Sequence, residues 1–326
     1  MDALDIIGDV HGCASKLRQL LDRLGYTESA GGAYRHPGRR VTFVGDLIDR
    51  GAEQREVLAL VKAMHDAGSA DVVMGNHEFN AIAYATPDPE ASGTFLRDND
   101  NVDNQRQHSE FLKLDPPERQ EYLTWFKTLP LWLDYGHVRV VHACWHEQSI
   151  RDVETLCGGN RLTDAHFAAA ARDGQDNRLF QAVEILLKGP EISLTDLGHE
   201  RFKDPGGKVR NKARAMWWRS EATTLRELAD MRVTTTESGD PYPQLPAHEL
   251  DSGQRSFVYT DRIPLFYGHY WLSWEKRAQA FTTYTACVDF SAGVGGPLVA
   301  YRWNGERTIA LENYVPHDPQ LVAHGA

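Results

Sequence analysis

Three short apolar runs, Leu4-Asp5-Ile6-Ile7, Val41-Thr42-Phe43-Val44 and Asp71-Val72-Val73-Met74, each end on a glycine, and a polar side chain follows each glycine at once. Runs of this length and β-branching read as buried strands, and the glycines Gly8, Gly45 and Gly75 read as the tight turns that end them. Between the runs, apolar residues recur at helical spacing: Leu17, Leu20, Leu21 and Leu24, then Val57, Leu60, Val61 and Met64. Both are amphipathic helices. A β-α-β-α-β order predicts a largely parallel sheet covered by helices, with ligands at the carboxyl ends of the strands. The polar residues after each glycine are expected there.

Two later strands repeat the arrangement. Val138-Arg139-Val140-Val141 leads into His142, and Pro264-Leu265-Phe266-Tyr267-Gly268 leads into His269. Stretches 281–290 and 298–303 read as strands joined by the turn 291–297, which predicts a closing hairpin of a second sheet. The expectation is an α/β chain of two sheets flanked by helices. Residues 87–131 and 151–262 lack strand-ending motifs and read as mostly helical or loop insertions on a single domain, 1–326. Segment 234–253, rich in Thr, Ser, Gly and Pro, reads as an exposed loop.

Bulk properties narrow the function. Of 326 residues 41% are hydrophobic and 25% charged, an ordinary globular composition. No apolar run is long enough for a membrane span, and the first residues enter a strand directly, so a cytoplasmic protein is expected. Cys13, Cys144, Cys157 and Cys287 are scattered without paired spacing and read as reduced thiols. A net charge of −11 argues against a duplex nucleic-acid partner, since phosphate backbones are held by clustered Lys and Arg. It leaves room for a small anion gripped by metal ions and a few arginines.

In Gly8-Asp9-Val10-His11-Gly12 a carboxylate and an imidazole stand two apart on extended backbone, so both point the same way and can grip one metal. In Gly45-Asp46-Leu47-Ile48-Asp49-Arg50-Gly51, Asp46 leaves the strand end placed to bridge two cations, and Arg50 can hold an anion. Gly75-Asn76-His77-Glu78 sets an amide oxygen beside an imidazole. Singly these motifs are common turns; as an ordered set they point to a metal site. A cysteine-based phosphatase needs five residues between Cys and Arg. Cys144 to Arg151 has six and Cys13 to Arg18 has four, which disfavours that chemistry.

The ordered series, completed by His142-Ala143 and Gly268-His269, resembles the calcineurin-like metallophosphoesterases and within them the phosphoprotein phosphatase superfamily. That group includes Ser/Thr protein phosphatases, bacterial symmetrical dinucleoside tetraphosphatases and the phosphatase module of polynucleotide kinase-phosphatases. The likeness covers residues 4–85, 136–145 and 264–303. It implies a four-layer sandwich of two mixed sheets flanked by helices, with helical insertions. It implies that Asp9, His11 and Asp46 bind one divalent metal and that Asp46, Asn76, His142 and His269 bind a second, most readily manganese, with iron or zinc as options. It gives His77 the role of general acid with Asp49 holding its ring, and gives Arg50 the phosphate oxygens. A second phosphate-binding arginine is placed at Arg219, in Trp217-Trp218-Arg219-Ser220.

The reaction implied is direct hydrolysis by a hydroxide bridging the metals. The complete motifs favour a phosphomonoesterase acting on phosphoprotein or a small phosphate ester, and this is the leading expectation. The closing Gly295-Gly296-Pro297-Leu298 stretch favours a dinucleoside (diadenosine) tetraphosphatase instead. A non-catalytic phospho-ligand binding module is a third reading, weakened because every expected ligand is present. Asp289 reads either as a partner that orients His269 or as a strand-end turn. Trp145 and His146 read as core or substrate entrance, and the cluster Arg201, Lys203, Lys208, Arg210, Lys212 and Arg214 as a solvated face or a second anion site.

Overall fold

The computed structural model describes residues 3–174, 176–204, 206–232 and 234–323. The three glycine-ended runs are strands β1 (Ala3–Ile7), β2 (Arg39–Phe43) and β3 (Ala70–Val72). They lie side by side in parallel, with Ile7 level with Phe43 and Phe43 level with Val72. Helix α1 (Ala14–Leu24) buries Leu17, Leu20, Leu21 and Leu24, and α2 (Gln54–Asp66) buries Val57, Leu60, Val61 and Met64. The apolar stripes foreseen at helical spacing are thus the faces that the helices bury. Gly25 ends α1 in the left-handed conformation at φ 87°, where a side chain would be strained.

Further along come β4 (Trp132–Asp134), β5 (Arg139–Val141), β6 (Leu265–Tyr267), β7 (Thr285–Cys287), β8 (Val299–Trp303) and β9 (Tyr314–Pro316). The first sheet runs β9-β8-β1-β2-β3, with β8 antiparallel to β1. The second runs β7-β6-β5-β4, parallel except for β4 against β5. Both sheets are therefore mixed. They meet through apolar contacts such as Phe266 of β6 on Tyr301 of β8, with ring centroids 4.6 Å apart, and through Tyr314 Oη donating to the Cys287 carbonyl at 3.0 Å. Among the helices, which include the short α4 (Val102–Gln107), α3 (Asn76–Ala85) packs against both α5 (Pro116–Phe126) and α7 (Asp164–Ala171), while α6 (Glu147–Cys157) lies along α8 (Arg178–Lys188). This is an α/β fold with two mixed sheets and flanking helices.

One expectation needs correction. Residues 281–290 and 298–303 do not form a hairpin: β7 joins the second sheet, whereas β8 crosses to the first and pairs with β1, Ala300 level with Ile7. The reason lies in burial. β8 turns Val299, Tyr301 and Trp303 to one face and has four of its five residues buried, so it suits a sheet interior better than an edge ribbon.

The chain divides into two compact units, one of segments 1–143, 147–188 and 262–326, the other of 144–146 and 189–261. Helices α6 to α8 belong to the larger unit. The smaller has its own apolar cluster, including Leu194, Phe202, Ala215, Leu225 and Leu228, and carries five strands of two or three residues that the sequence did not signal. Segment 234–253 is not wholly exposed, for Leu245 and Leu250 are buried in that cluster. In the same unit Arg201 pairs with Glu237 and Arg210 with Asp204, which neutralises part of the basic cluster. No helix among the described residues is long and apolar enough to cross a membrane.

Candidate metal centre

The loops that follow β1, β2, β3, β5 and β6 supply every residue of the centre, and their backbones are unusually bent. His11, Asp46, Asp49, Arg50 and His269 all adopt positive φ, between 44° and 71°. Such conformations are costly for non-glycine residues and persist only where the surroundings enforce them. Here the loops are tied to each other. Val10 N and His11 N donate to the Asp46 carbonyl at 3.1 and 2.9 Å, Gly12 N donates to Leu47 O, and Gly51 N donates to His11 O. Two strand-end glycines serve the close approach: a Cβ on Gly75 would lie 2.2 Å from Asp46 Oδ1, and one on Gly268 would lie 2.0 Å from Asp9 Oδ1.

Glu78, which is fully buried, clamps the loops together. Its carboxylate accepts from Asp46 N, Leu47 N and Gly75 N at 2.9, 2.8 and 2.9 Å. The third residue of the Asn-His-Glu motif therefore organises backbone, a role that the motif alone did not disclose.

Two buried triads result, His11-Asp46-His77 and Asp46-His142-His269, in each of which the ligand atoms lie within 4.8 Å of one another. Asp46 belongs to both, as a bridging carboxylate must. Its Oδ2 is 3.7 Å from His11 Nε2 and 3.8 Å from His77 Nε2, and its Oδ1 is 3.5 Å from His142 Nε2. Asn76 Oδ1 stands 3.0 Å from His142 Nε2 and 2.9 Å from His269 Nδ1. Asp9 lies in neither triad: its carboxylate accepts from His269 N at 3.1 Å, and His77 rather than the expected Asp9 stands with His11 and Asp46, because His11 leaves extended backbone at φ 44° instead of continuing the strand beside Asp9.

The donor set fits divalent cations. His11 Nδ1 donates to the Ile48 carbonyl and His142 Nδ1 to the Val44 carbonyl, both at 2.8 Å, which turns each Nε2 inward. His11 Nε2 is buried and has no hydrogen-bond partner among the described residues. A buried nitrogen without a partner is what a ligand position looks like before its ion is considered. Imidazole, carboxylate and amide oxygen together suit manganese, iron or zinc.

Electrostatics agree. Burial pushes the Asp46 carboxyl up, but His142, His77 and His11 outweigh it and hold Asp46 well below the usual range. Burial would strip the proton from His142, yet Asp46 and Asp9 overcome that and push it up to about 10. Asp9 is held well above its ordinary value by burial and by Asp289 and Asp46. Burial and the neighbouring His77 bring His11 down to about 3. Without cations the cluster keeps protons to balance its carboxylates, and cations would take over that task.

Beside the triads, Asp49 Oδ2 meets His77 Nδ1 at 2.6 Å and His108 Nδ1 at 3.0 Å. Burial raises Asp49, but donors from His108 and His77 prevail and hold it below the usual carboxylate range. For His77, burial is outweighed by Asp46 and Asp49, which raise it. Gln107 Nε2 also approaches His77 Nδ1, at 3.4 Å. His108 and Gln107 come from the 87–131 insertion, where no spacing marked them.

Half-buried Arg50 lays its guanidinium 4.1 Å over the ring of Trp271. Asp289 accepts from Trp271 N at 3.0 Å and from Ser291 N at 2.9 Å, so it fixes loop backbone, in line with the turn reading. Arg219 is exposed in the smaller unit, with Nη1 3.5 Å from the Glu227 carbonyl. Trp145 and His146 are buried there, the latter against Phe257.

Residues 4–269 match the family model described as calcineurin-like phosphoesterase. Among curated proteins, the asymmetrical bis(5'-nucleosyl)-tetraphosphatase PrpE of Halalkalibacterium halodurans is 54% identical over 74 residues, 22% of this chain and 30% of that protein. Its namesake in Bacillus subtilis is 31% identical over 150 residues, 43% of this chain and 57% of that protein. The symmetrical bis(5'-nucleosyl)-tetraphosphatase of Aromatoleum aromaticum is 33% identical over 144 residues, covering 43% and 44%. The chain thus spans less than two thirds of each of these relatives.

Proposed function

The chain belongs to the calcineurin-like phosphoesterases, and from that premise we propose that it is a metal-dependent hydrolase of dinucleoside polyphosphates, of which diadenosine tetraphosphate is one. The observation that carries the reading is the pair of buried triads sharing Asp46. The substrate class draws support from the names of the relatives and takes precedence over the phosphomonoester reading for that reason.

Asp9, His11, Asp46, Asn76, His142 and His269 hold two divalent ions, manganese first and iron or zinc as alternatives. When bound, the pair acidifies a water molecule and shields the charge of the phosphoryl oxygens. The protein's own groups do the rest. Arg50 takes phosphoryl oxygens along the edge of its planar fork of donors. His77 stands in the triad with His11 and Asp46, its Nε2 3.8 Å from Asp46 Oδ2, but is left out of the ligand set: it gives the proton to the departing oxygen, while Asp49 holds Nδ1 and thereby the ring's orientation. Water, giving one proton to solvent, adds to phosphorus; the bridging P–O bond breaks, the leaving phosphate carries the proton from His77, and His77 regains a proton from solvent.

The test is a substrate panel on protein reloaded with manganese: diadenosine tetraphosphate, a phosphopeptide and a 2′,3′-cyclic nucleotide at matched concentration. Turnover of the dinucleotide is expected, and its products distinguish symmetrical cleavage (ADP alone) from asymmetrical (ATP and AMP). Turnover of the phosphopeptide alone would overturn the substrate assignment. Inertness toward all three with both metals bound would overturn the enzyme reading in favour of a binding module.

A further inference from the structure

Among the exposed large apolar residues, Trp271 is 49% exposed and Val294 is 61% exposed, and both sit on loops that carry or touch the centre. Trp271 follows His269 by two positions. Val294 follows Gly293, whose added Cβ would lie 2.7 Å from His11 Cβ and 3.0 Å from Arg50 Cδ. An indole this exposed forgoes the benefit of burial, and Trp271 is held there at cost: its φ is 50°, in the left-handed region.

The loops are built to keep the ring in place. Asp289 is buried and receives Trp271 N on one oxygen and Ser291 N on the other, so a single carboxylate ties both apolar loops together. Ser291, itself at φ 65°, donates from Oγ to Leu272 O at 3.4 Å, a second tie across the same gap. Arg50 sets its guanidinium over the indole with Cζ 4.1 Å from the ring centroid. That geometry leaves the N–H edge of the guanidinium for phosphoryl oxygens. The group attached to the phosphate then emerges beside the tryptophan.

We propose that Trp271 is the stacking seat for a nucleobase carried by the substrate. The assignment rests on the nucleotide reading above and goes further by naming the residue that recognises the base. Flat π-systems bind an indole through offset stacking, and a cation on the ring's other side strengthens the assembly. Stacking tolerates any base, so the seat selects for a nucleotide over a bare phosphate chain without selecting among nucleotides.

Binding of AMP and of ribose 5-phosphate to the full, manganese-loaded chain isolates the base, because the two probes share phosphate and sugar. Wild-type protein is expected to hold AMP about ten-fold more tightly, within the roughly 5- to 150-fold range that one base stacked on one aromatic provides. Trp271→Ala should bring the ratio of the two affinities close to one, and Trp271→Phe should restore part of it. Reading the ratio removes any loss caused by a shift of Arg50, which affects both probes alike. Equal binding of the two by wild type, or an unchanged ratio in Trp271→Ala, overturns the seat. If wild type binds neither probe yet binds inorganic phosphate, the nucleotide reading falls and the seat with it. If wild type hydrolyses diadenosine tetraphosphate while Trp271→Ala keeps the wild-type ratio, only the seat is wrong.

Discussion

Replacing Glu78 by glutamine tests how the ligand loops are held. The carboxylate is fully buried and receives three backbone N–H groups, two on Oε2 (Asp46 and Gly75) and one on Oε1 (Leu47). A glutamine carbonyl in the place of Oε2 can keep the first two. Its amide group then confronts Leu47 N, donor against donor. The loss is one hydrogen bond to a charged acceptor, about 1.5–3 kcal/mol, together with the charge assistance on the other two. An opposing effect must be subtracted: burial and the negative charge of Asp46 push Glu78 up to about 7, so a neutral side chain relieves some repulsion. The net expectation is a destabilisation of about 1–3 kcal/mol. Urea unfolding of the metal-free protein measures the size, and hydrogen exchange at the Leu47 amide locates it, because that N–H loses its acceptor. Manganese affinity should fall as well, since Asp46 is placed by this clamp. Stability within about 0.5 kcal/mol of wild type, with Leu47 still protected, would refute the account.

Three further outcomes follow from the same geometry. Gly268→Ala puts a methyl group 2.0 Å from Asp9 Oδ1 and 2.8 Å from Val44 Cγ2, so Asp9 must move away from His269 N; elemental analysis should show less than the full complement of metal, and full loading would contradict the expectation. His142 is pushed up to about 10 and so carries a proton at neutral pH, which a cation must displace; manganese affinity should therefore rise with pH, by about ten-fold per unit for each proton released, as long as the pH stays below that value. Calorimetry in buffers of different ionisation heat counts those protons, and a count of zero would contradict the argument. His108→Ala removes a donor that holds Asp49 down, so the acid limb of the pH–rate profile should move to higher pH, with stability lower by about 1.5–3 kcal/mol. His108→Asn, which keeps a donor, should recover part of the shift, and an unmoved acid limb would show that His108 only fills space.

Much of the site was legible because it is written locally. A strand announces itself through a run of apolar residues, a glycine marks where the backbone must turn, and the residue after the glycine is delivered to the strand's carboxyl end. With the family resemblance added, that nominates Asp9, His11, Asp46, Asn76, His142 and His269; the structure places His11, Asp46, His142 and His269 in the two triads, with Asn76 Oδ1 beside the second and Asp9 on the backbone of His269. What local pattern cannot state is which strand pairs with which. β7 and β8 are neighbours in the chain, yet they lie in different sheets, since ladder partners are chosen by the burial of both faces.

The amino-acid order by itself determined the β-α-β frame and, through the motifs at its strand ends, the candidate ligands and the chemistry they suit. Tertiary structure alone decided that His77 joins His11 and Asp46, that Glu78 pins three backbone amides, that His108 shares Asp49 with His77, and that Arg50 lies on Trp271. Each of these is a contact between segments far apart in the chain, made across loops bent into left-handed conformations. Periodicity reports which face a residue turns inward. It carries no information about what will be waiting there.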